Sequence, residues 1–208
     1  MCKRILIAMA ILTMTATACF GQDSIEFSVI GRAGYFLPLG EWSSHRYAPG
    51  VNQFQGGYLV SPELELKFND IGIALWYSYA SLRTTEWEDF VSGQGESLFA
   101  SGSLSALGGA IQYYFIDTER NSVHIEGGLS YVYCKGNEQF KGFDYECDFL
   151  KSGMGFLGGA GYQYSFNERL SMLLPVRFLW RPEGIKYPEG KTYDIFGMYF
   201  LPGLKLTF

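Results

Sequence analysis

The acid–base chemistry open to this sequence depends on two histidines among 208 residues. His45 follows Ser43 and Ser44, and Glu41 lies just before them. A hydroxyl, an imidazole and a carboxylate are the groups that nucleophilic catalysis uses, so this segment is the one candidate for a catalytic triad. Exposed loops commonly contain the same residue types, and His124 falls after a short turn at the other end of the predicted fold. We therefore predict that the protein is not an enzyme.

Four cysteines are present, and two of them, Cys2 and Cys19, lie in the N-terminal leader described below. Cys134 and Cys147 remain. In an oxidising compartment this pair either forms a disulfide, which would stabilise the fold by roughly 3 kcal/mol, or stays as two free thiols. Two cysteines without a nearby histidine do not make a zinc site, so we predict no metal and no cofactor.

Residues 1–21 have the features of a secretory signal peptide. Two basic residues precede the apolar stretch 5–18, which is too short to span a bilayer. Cleavage after Gly21 would leave residues 22–208 as the mature domain. The alternative is a lipoprotein site with an acylated Cys19, although the usual leucine three positions before the cysteine is missing. Either reading predicts an exported protein.

The rest of the chain alternates between apolar and polar side chains with a period of two, which predicts β-strands. One face of residues 58–68 is apolar from Tyr58 to Phe68, and the other face carries Glu63 and Glu65. Eight such segments of roughly 9–14 residues occur, and membrane-spanning strands need about 9–11. Short turns and long loops alternate between them, as in outer-membrane barrels. We place the long loops at residues 38–56, 83–97, 135–151 and 182–194.

Composition and aromatic placement favour a membrane barrel over a soluble sandwich. Charged residues make up 18% of the chain and aromatic residues 17%, which together exclude a disordered chain. A formal net charge of −5 provides no basic surface for nucleic acid. The aromatic residues of the apolar face lie near both ends of the strands, as in the interfacial belts of outer-membrane barrels. Because an eight-stranded interior is narrow, we expect the small and polar face to point inward.

The alternation places a set of polar residues inside the predicted barrel. Acidic and basic members nearly match, and buried charges must be paired. Arg32 lies on the strand beside Glu63 and Glu65, which predicts an ion pair. The interior is expected either to be filled by a polar network that sets strand register or to form a narrow conduit. The predicted inward polar residues are Glu26, Arg32, Glu63, Glu65, Lys67, Gln112, His124, Glu126, Gln163, Arg177 and Lys205.

Over residues 25–208 the chain resembles the small eight-stranded outer-membrane β-barrels of the OmpA-like and OmpX-like family. The most specific feature is the last strand, whose alternation continues to the final residue, although Pro202 departs from the family pattern. The resemblance implies an all-β, eight-stranded antiparallel up-and-down transmembrane barrel in a Gram-negative cell outer membrane, with both termini in the periplasm. It also implies that the barrel-insertion machinery reads the C-terminal residues Phe200, Leu204, Leu206 and Phe208.

The sequence indicates the function of the protein less directly than its fold. We expect a non-catalytic monomer that contacts outer-membrane lipid and lipopolysaccharide and has a structural or surface-recognition role. In that role the external loops would meet an extracellular ligand or protein, and no nucleic acid is expected as a partner. The alternatives are a narrow solute or ion conduit and an enzyme that modifies lipid A through the His45 segment.

Overall fold

The computed structural model describes residues 25–39, 56–82, 86–88, 97–141, 145–186 and 192–208. The predicted signal peptide, the alternative acylation site at Cys19 and the His45 segment lie outside these described residues. In the described ranges no helix is long and apolar enough to cross a membrane.

The described residues form antiparallel β-strands and no helix. The strands are β1 (Ile25–Leu39), β2 (Gly57–Phe68), β3 (Ile71–Leu82), β4 (Glu86–Glu88), β5 (Ser97–Asp117), β6 (Asn121–Lys141), β7 (Tyr145–Ser165), β8 (Leu170–Lys186), β9 (Thr192–Phe200) and β10 (Gly203–Thr207).

Eight strand positions close into a ring. From β1 to β8 each wall strand pairs with the next one along the chain, and the short β4 pairs only with the start of β5. The eighth position is shared by β9 and β10, which both pair with β8 and with β1. Leu201 and Pro202 separate these two segments of one strand. The predicted eight-stranded antiparallel up-and-down barrel is confirmed within the described residues.

Short turns connect the strands at one end of the barrel, which we call the turn end. Asn69, at a φ of 50°, makes the tight turn between β2 and β3, a backbone conformation that asparagine tolerates. In the next turn the Thr118 hydroxyl donates to the Asn121 carbonyl at 2.9 Å. Asn167 Oδ1 accepts the amides of Arg169 and Leu170 before β8. Local side-chain hydrogen bonds therefore define the turns that the sequence predicted.

The strands continue further toward the opposite, loop end than the sequence indicated. Strands β5, β6 and β7 each contain 21 residues. The predicted loop over residues 135–151 was wrong in extent, because β6 and β7 stay paired as far as Phe140 and Tyr145. Hydrophobic alternation is needed only where one face meets lipid. Backbone pairing can therefore continue beyond the membrane without that sequence signal.

Inward and outward side chains alternate along the wall strands wherever the structure describes the side chains. On β3, Ile71, Ile73 and Leu75 are about half exposed, whereas Ala74 and Trp76 are buried. Gly72 also faces the interior, as the alternation requires. The apolar face therefore lines the outside, and the barrel core lies within the ring.

The interior has two parts. Most of the buried charged side chains occupy the half nearer the turn end, and an apolar cluster occupies the half nearer the loop end, where the buried Arg181 lies opposite Ile195. The expectation of a small and polar interior was therefore only partly right, because Phe36, Trp76 and Tyr199 also point inward. The interior apolar cluster contains Phe36, Leu59, Trp76, Ala80, Leu82, Leu104, Ala106, Ala110, Val132, Cys134, Leu157, Leu179, Ile195, Tyr199 and Leu201.

Candidate functional site

The structure buries most of the predicted interior residues in one region, which we call the ionic cluster. Two of the predicted residues, Glu26 and Lys67, are only partly buried at the turn end, where Lys67 Nζ contacts Asp117 Oδ2 at 2.5 Å. The buried residues are Arg32, Glu63, Glu65, Gln112, His124, Glu126, Gln163, Arg177 and Lys205.

Arginine and glutamate side chains alternate across the centre of the cluster. Arg32 binds Glu63 with two hydrogen bonds, Nε to Oε2 at 3.1 Å and Nη2 to Oε1 at 3.0 Å. Arg177 Nη1 lies 2.8 Å from Glu63 Oε2. Arg177 also donates from Nε and Nη2 to Glu126, at 2.5 Å and 2.8 Å. Four strands, β1, β2, β8 and β6, are thereby joined across the interior, and the predicted Arg32 ion pair is present.

A second group lies nearer the turn end. Lys205 Nζ is 2.7 Å from Glu65 Oε1, and the Tyr114 hydroxyl donates to the same oxygen at 2.9 Å. Gln163 Oε1 accepts from Lys205 at 3.4 Å. The Tyr114 hydroxyl also lies 3.3 Å from Gln112 Oε1, and Gln112 Nε2 donates to Glu126 Oε2 at 3.3 Å. Hydrogen bonds and ion pairs therefore connect the cluster into one network, except for His124, whose two ring nitrogens have no hydrogen-bond partner among the described residues.

The charges of the cluster balance. Three basic residues, Arg32, Arg177 and Lys205, face three acidic ones. Their ion-paired side chains are almost fully shielded from solvent. Removal of one partner from such a pair leaves an uncompensated buried charge, which costs about 3–5 kcal/mol. Each charged residue of the cluster thus depends on its partner.

Glycines make room for the largest inward side chains. Trp76 lies directly across from Gly108, and a methyl group at Gly108 would stand 2.7 Å from Trp76 Cζ2. His124 lies across from Gly161, where a methyl group would stand 2.4 Å from Cε1. The same cross-strand relation joins Arg177 to Gly159 and Arg32 to Gly203. Several of the 26 glycines of the chain therefore make room for large side chains inside a narrow ring.

Comparison with known proteins identifies the fold. No protein-family model matches the sequence, and no curated protein matches it. Solved structures do match. Neisserial surface protein A is 11% identical with a TM-score of 0.55, over 88% of this chain and 96% of that one. A major outer membrane protein from Thermus thermophilus is 13% identical with a TM-score of 0.54, over 89% and 100%.

A third similar structure is Ail, the attachment invasion locus protein of Yersinia pestis. It is 14% identical with a TM-score of 0.52, over 90% of this chain and 100% of that one. The chain has the fold of the small outer-membrane β-barrels. This fold and the exposed apolar wall together place the protein in the cell outer membrane, as the sequence predicted.

The outer wall of this outer-membrane barrel includes the predicted C-terminal insertion signal. The four residues of that signal alternate with inward-facing Leu201 and Lys205, and their side chains are about half exposed or more. Phe208 is the most exposed of them, and its amide donates to the Phe27 carbonyl of β1 at 2.9 Å. Recognition by the insertion machinery stays a prediction. The four residues of the C-terminal signal are Phe200, Leu204, Leu206 and Phe208.

The disulfide that the sequence left open between Cys134 and Cys147 does not fit the register of the barrel. Cys134 is a free, buried thiol in the interior apolar cluster. In the β6–β7 ladder Cys134 lies opposite Lys151, whereas Cys147 lies opposite Glu138. Four residue steps along a strand are about 13 Å, and a disulfide requires its Cα atoms within about 7 Å. The close spacing in sequence did not bring the two cysteines together because the hairpin register keeps them apart.

The structure buries His124 inside the barrel. Its ring packs against the ring of Tyr114, with centroids 5.0 Å apart, near the turn end. Among the described residues, no group of three or more histidine, cysteine or acidic side chains is arranged to hold a metal ion.

Sequence reasoning missed Tyr114 as a member of the ionic cluster. The alternation places Tyr114 on the inward face beside Gln112, and a tyrosine there must bury a hydroxyl that requires a partner. That requirement is the signal that could have identified it. Below the cluster, a cavity of about 320 Å³ opens at the turn end and is lined partly by Glu26, Glu119 and Gln163.

Proposed function

We propose that this protein is a non-catalytic, non-conducting outer-membrane barrel whose external loops have a structural or surface-recognition role. The observation that carries the proposal is the filled interior. The neutral ionic cluster joins strands across the barrel, and the interior apolar cluster lies between it and the loop end.

Two physical barriers then oppose the passage of ions. Arg177 is held between two carboxylates, so a passing ion would have to displace it and leave buried charges unpaired. Beyond it, the buried side chains of Phe36, Leu59 and Leu104 are pure hydrocarbon and cannot replace the hydration shell of an ion. The cavity at the turn end is consistent with a vestibule that ends below the cluster.

Planar-bilayer recording tests the closed interior. We expect no reproducible conductance steps from the refolded mature protein at any voltage, and regular steps would favour the conduit instead. A variant with Arg177→Ala and Glu126→Ala removes one positive and one negative charge and so keeps the cluster neutral. If that variant conducts, the ionic cluster is the main barrier. If it stays silent, the apolar cluster closes the barrel by itself.

The proposed recognition role rests on the long external segments. The Ail barrel has been crystallised with sucrose octasulfate, a heparin analogue, so a barrel of this fold can present a ligand-binding surface. In the segments that we predict to be external, acidic residues outnumber basic ones. We therefore propose a neutral or cationic partner, and expect a heparin column to retain Ail but not this protein. Retention at physiological salt would contradict this assignment.

The lipid-modifying alternative has a separate test. We expect cells with and without the gene to have the same lipid A mass spectrum, and a His45→Ala variant to change nothing. A change in acylation that follows the gene and disappears in His45→Ala would establish an enzyme.

A further inference from the structure

The last strand is interrupted where it closes the barrel. Arg32 lies opposite Gly203 and Tyr35 lies opposite Phe200, so Ala33 of β1 faces Pro202. On the other side, Leu173 lies opposite Gly203 and Val176 opposite Phe200, so Pro175 of β8 faces Leu201. We call the contacts of Ala33, Pro175, Leu201 and Pro202 the closing seam.

Two prolines remove hydrogen bonds from consecutive positions of this seam. The Ala33 amide donates to the Pro202 carbonyl at 3.1 Å, and the Leu201 amide donates to the Pro175 carbonyl at 3.2 Å. In an antiparallel ladder such pairs normally exchange two hydrogen bonds. Proline has no N–H group, so Pro202 cannot return a bond to Ala33, nor Pro175 to Leu201. Each pair therefore keeps one of its two backbone bonds.

Another proline in the wall shows how such a loss is compensated. Pro62 of β2 is opposite Tyr77 of β3 by the register of the flanking pairs. There the Ser61 hydroxyl donates to the Tyr77 carbonyl at 2.9 Å and takes the place of the missing N–H. At the closing seam, the residues that precede the prolines are Leu174 and Leu201, whose side chains have no donor.

The seam lies between two apolar regions. Outside it are the lipid-facing side chains of Phe200 and Leu204, each about half exposed. Inside it, Leu201 is fully buried and belongs to the interior apolar cluster, together with the free thiol of Cys134. If the last strand separates from β1 or from β8 at this point, the apolar surface that becomes exposed meets the bilayer and not water. The free-energy cost of opening is therefore lower.

We propose that the closing seam opens locally at Leu201–Pro202 and gives apolar molecules of the bilayer lateral access to the interior apolar cluster. Axial passage of ions stays closed, because the ionic cluster is not part of the seam. The chemical class admitted is an uncharged, chain-like or small apolar molecule. β10 remains attached during opening through the buried Lys205–Glu65 ion pair and through the Ser28–Thr207 hydroxyl contact at 3.1 Å.

Amide exchange measured by NMR in lipid nanodiscs tests the opening itself. The amides of Ala33 and Leu201 should exchange at least tenfold faster than the amide of Tyr77, which faces the compensated Pro62. The double variant Pro175→Ala/Pro202→Ala restores both donors and should slow exchange at Ala33 and Leu201 at least tenfold. Pro62→Ala is the matched control and should leave both rates unchanged. Equal exchange at the seam and at Tyr77 would overturn the proposal.

The thiol of Cys134 reports access to the cluster. In mature Cys147→Ser protein in lipid vesicles, a long-chain N-alkylmaleimide dissolved in the bilayer should label Cys134. Labelling should be at least threefold slower in the Pro175→Ala/Pro202→Ala background and unchanged in Pro62→Ala. A charged maleimide added to the water should react slowly in all three proteins. An unchanged alkylmaleimide rate in the double variant, or equal slowing with the charged reagent, would contradict a lateral route.

Discussion

Lys205 Nζ lies 2.7 Å from Glu65 Oε1 and thereby ties the last strand to β2 across the whole width of β1. This ion pair connects the second strand of the chain with the last one inside the ring. It holds the register of β10, in which Lys205 lies opposite Ile30.

Replacement of Lys205 should therefore destabilise the closed barrel. In Lys205→Met we expect the free energy of unfolding to fall by about 3–5 kcal/mol, because the Glu65 carboxylate stays buried without its cation. The double variant Lys205→Met/Glu65→Gln should lose clearly less, since no uncompensated charge remains. Urea unfolding in lipid vesicles measures both. A double variant as unstable as the sum of the two single variants would show that the residues act independently.

Arg177 should not tolerate a conservative exchange. Its guanidinium contacts Glu63 and Glu126 at the same time, which a single lysine ammonium cannot reproduce. We expect Arg177→Lys to lower the free energy of unfolding by about 2–4 kcal/mol. Arg169→Lys, on an exposed turn, serves as the control and should stay within about 0.5 kcal/mol of the natural protein. The idea fails if the two variants unfold at the same urea concentration.

The glycines opposite large inward side chains should differ from those that face lipid. A methyl group at Gly161 would meet the His124 ring, so Gly161→Ala should cost about 1–3 kcal/mol. A methyl group at Gly158 would meet nothing within 4 Å, so Gly158→Ala should be neutral or slightly stabilising. Heat-induced mobility shifts in SDS gels rank the variants. Adding His124→Ala to Gly161→Ala should restore part of the loss, and no restoration would argue against this contact.

The free thiol of Cys134 leads to a chemical prediction. Mature protein of residues 22–208, denatured without reductant, should show two reactive thiols in a colorimetric titration. It should also migrate identically with and without reductant, because the hairpin register keeps Cys134 and Cys147 apart. Cys147→Ser should lower the count to one. A titration that finds no thiol until reductant is added would mean that the two strands pair in a different register from the one described.

Local sequence pattern determined much of this fold. A period of two assigns every residue of a strand to one face, and one face of this chain is apolar over a length that suits a bilayer. The eight wall strands, the short turns at one end and the inward placement of Arg32, Glu63 and Arg177 follow from that pattern. Each depends only on residues close together in the chain.

The tertiary structure decided what depends on register and closure. Glu63, Glu126 and Arg177 come from strands that are not neighbours in the ring, so only the width and stagger of the closed barrel bring their side chains together. The separation of the two cysteines also depends on hairpin register. The division of the interior into ionic and apolar halves depends on register as well. The shift of each strand along its neighbours sets the height of its side chains in the barrel. Side-chain direction is a local property of a strand, whereas these contacts are set by the whole ring.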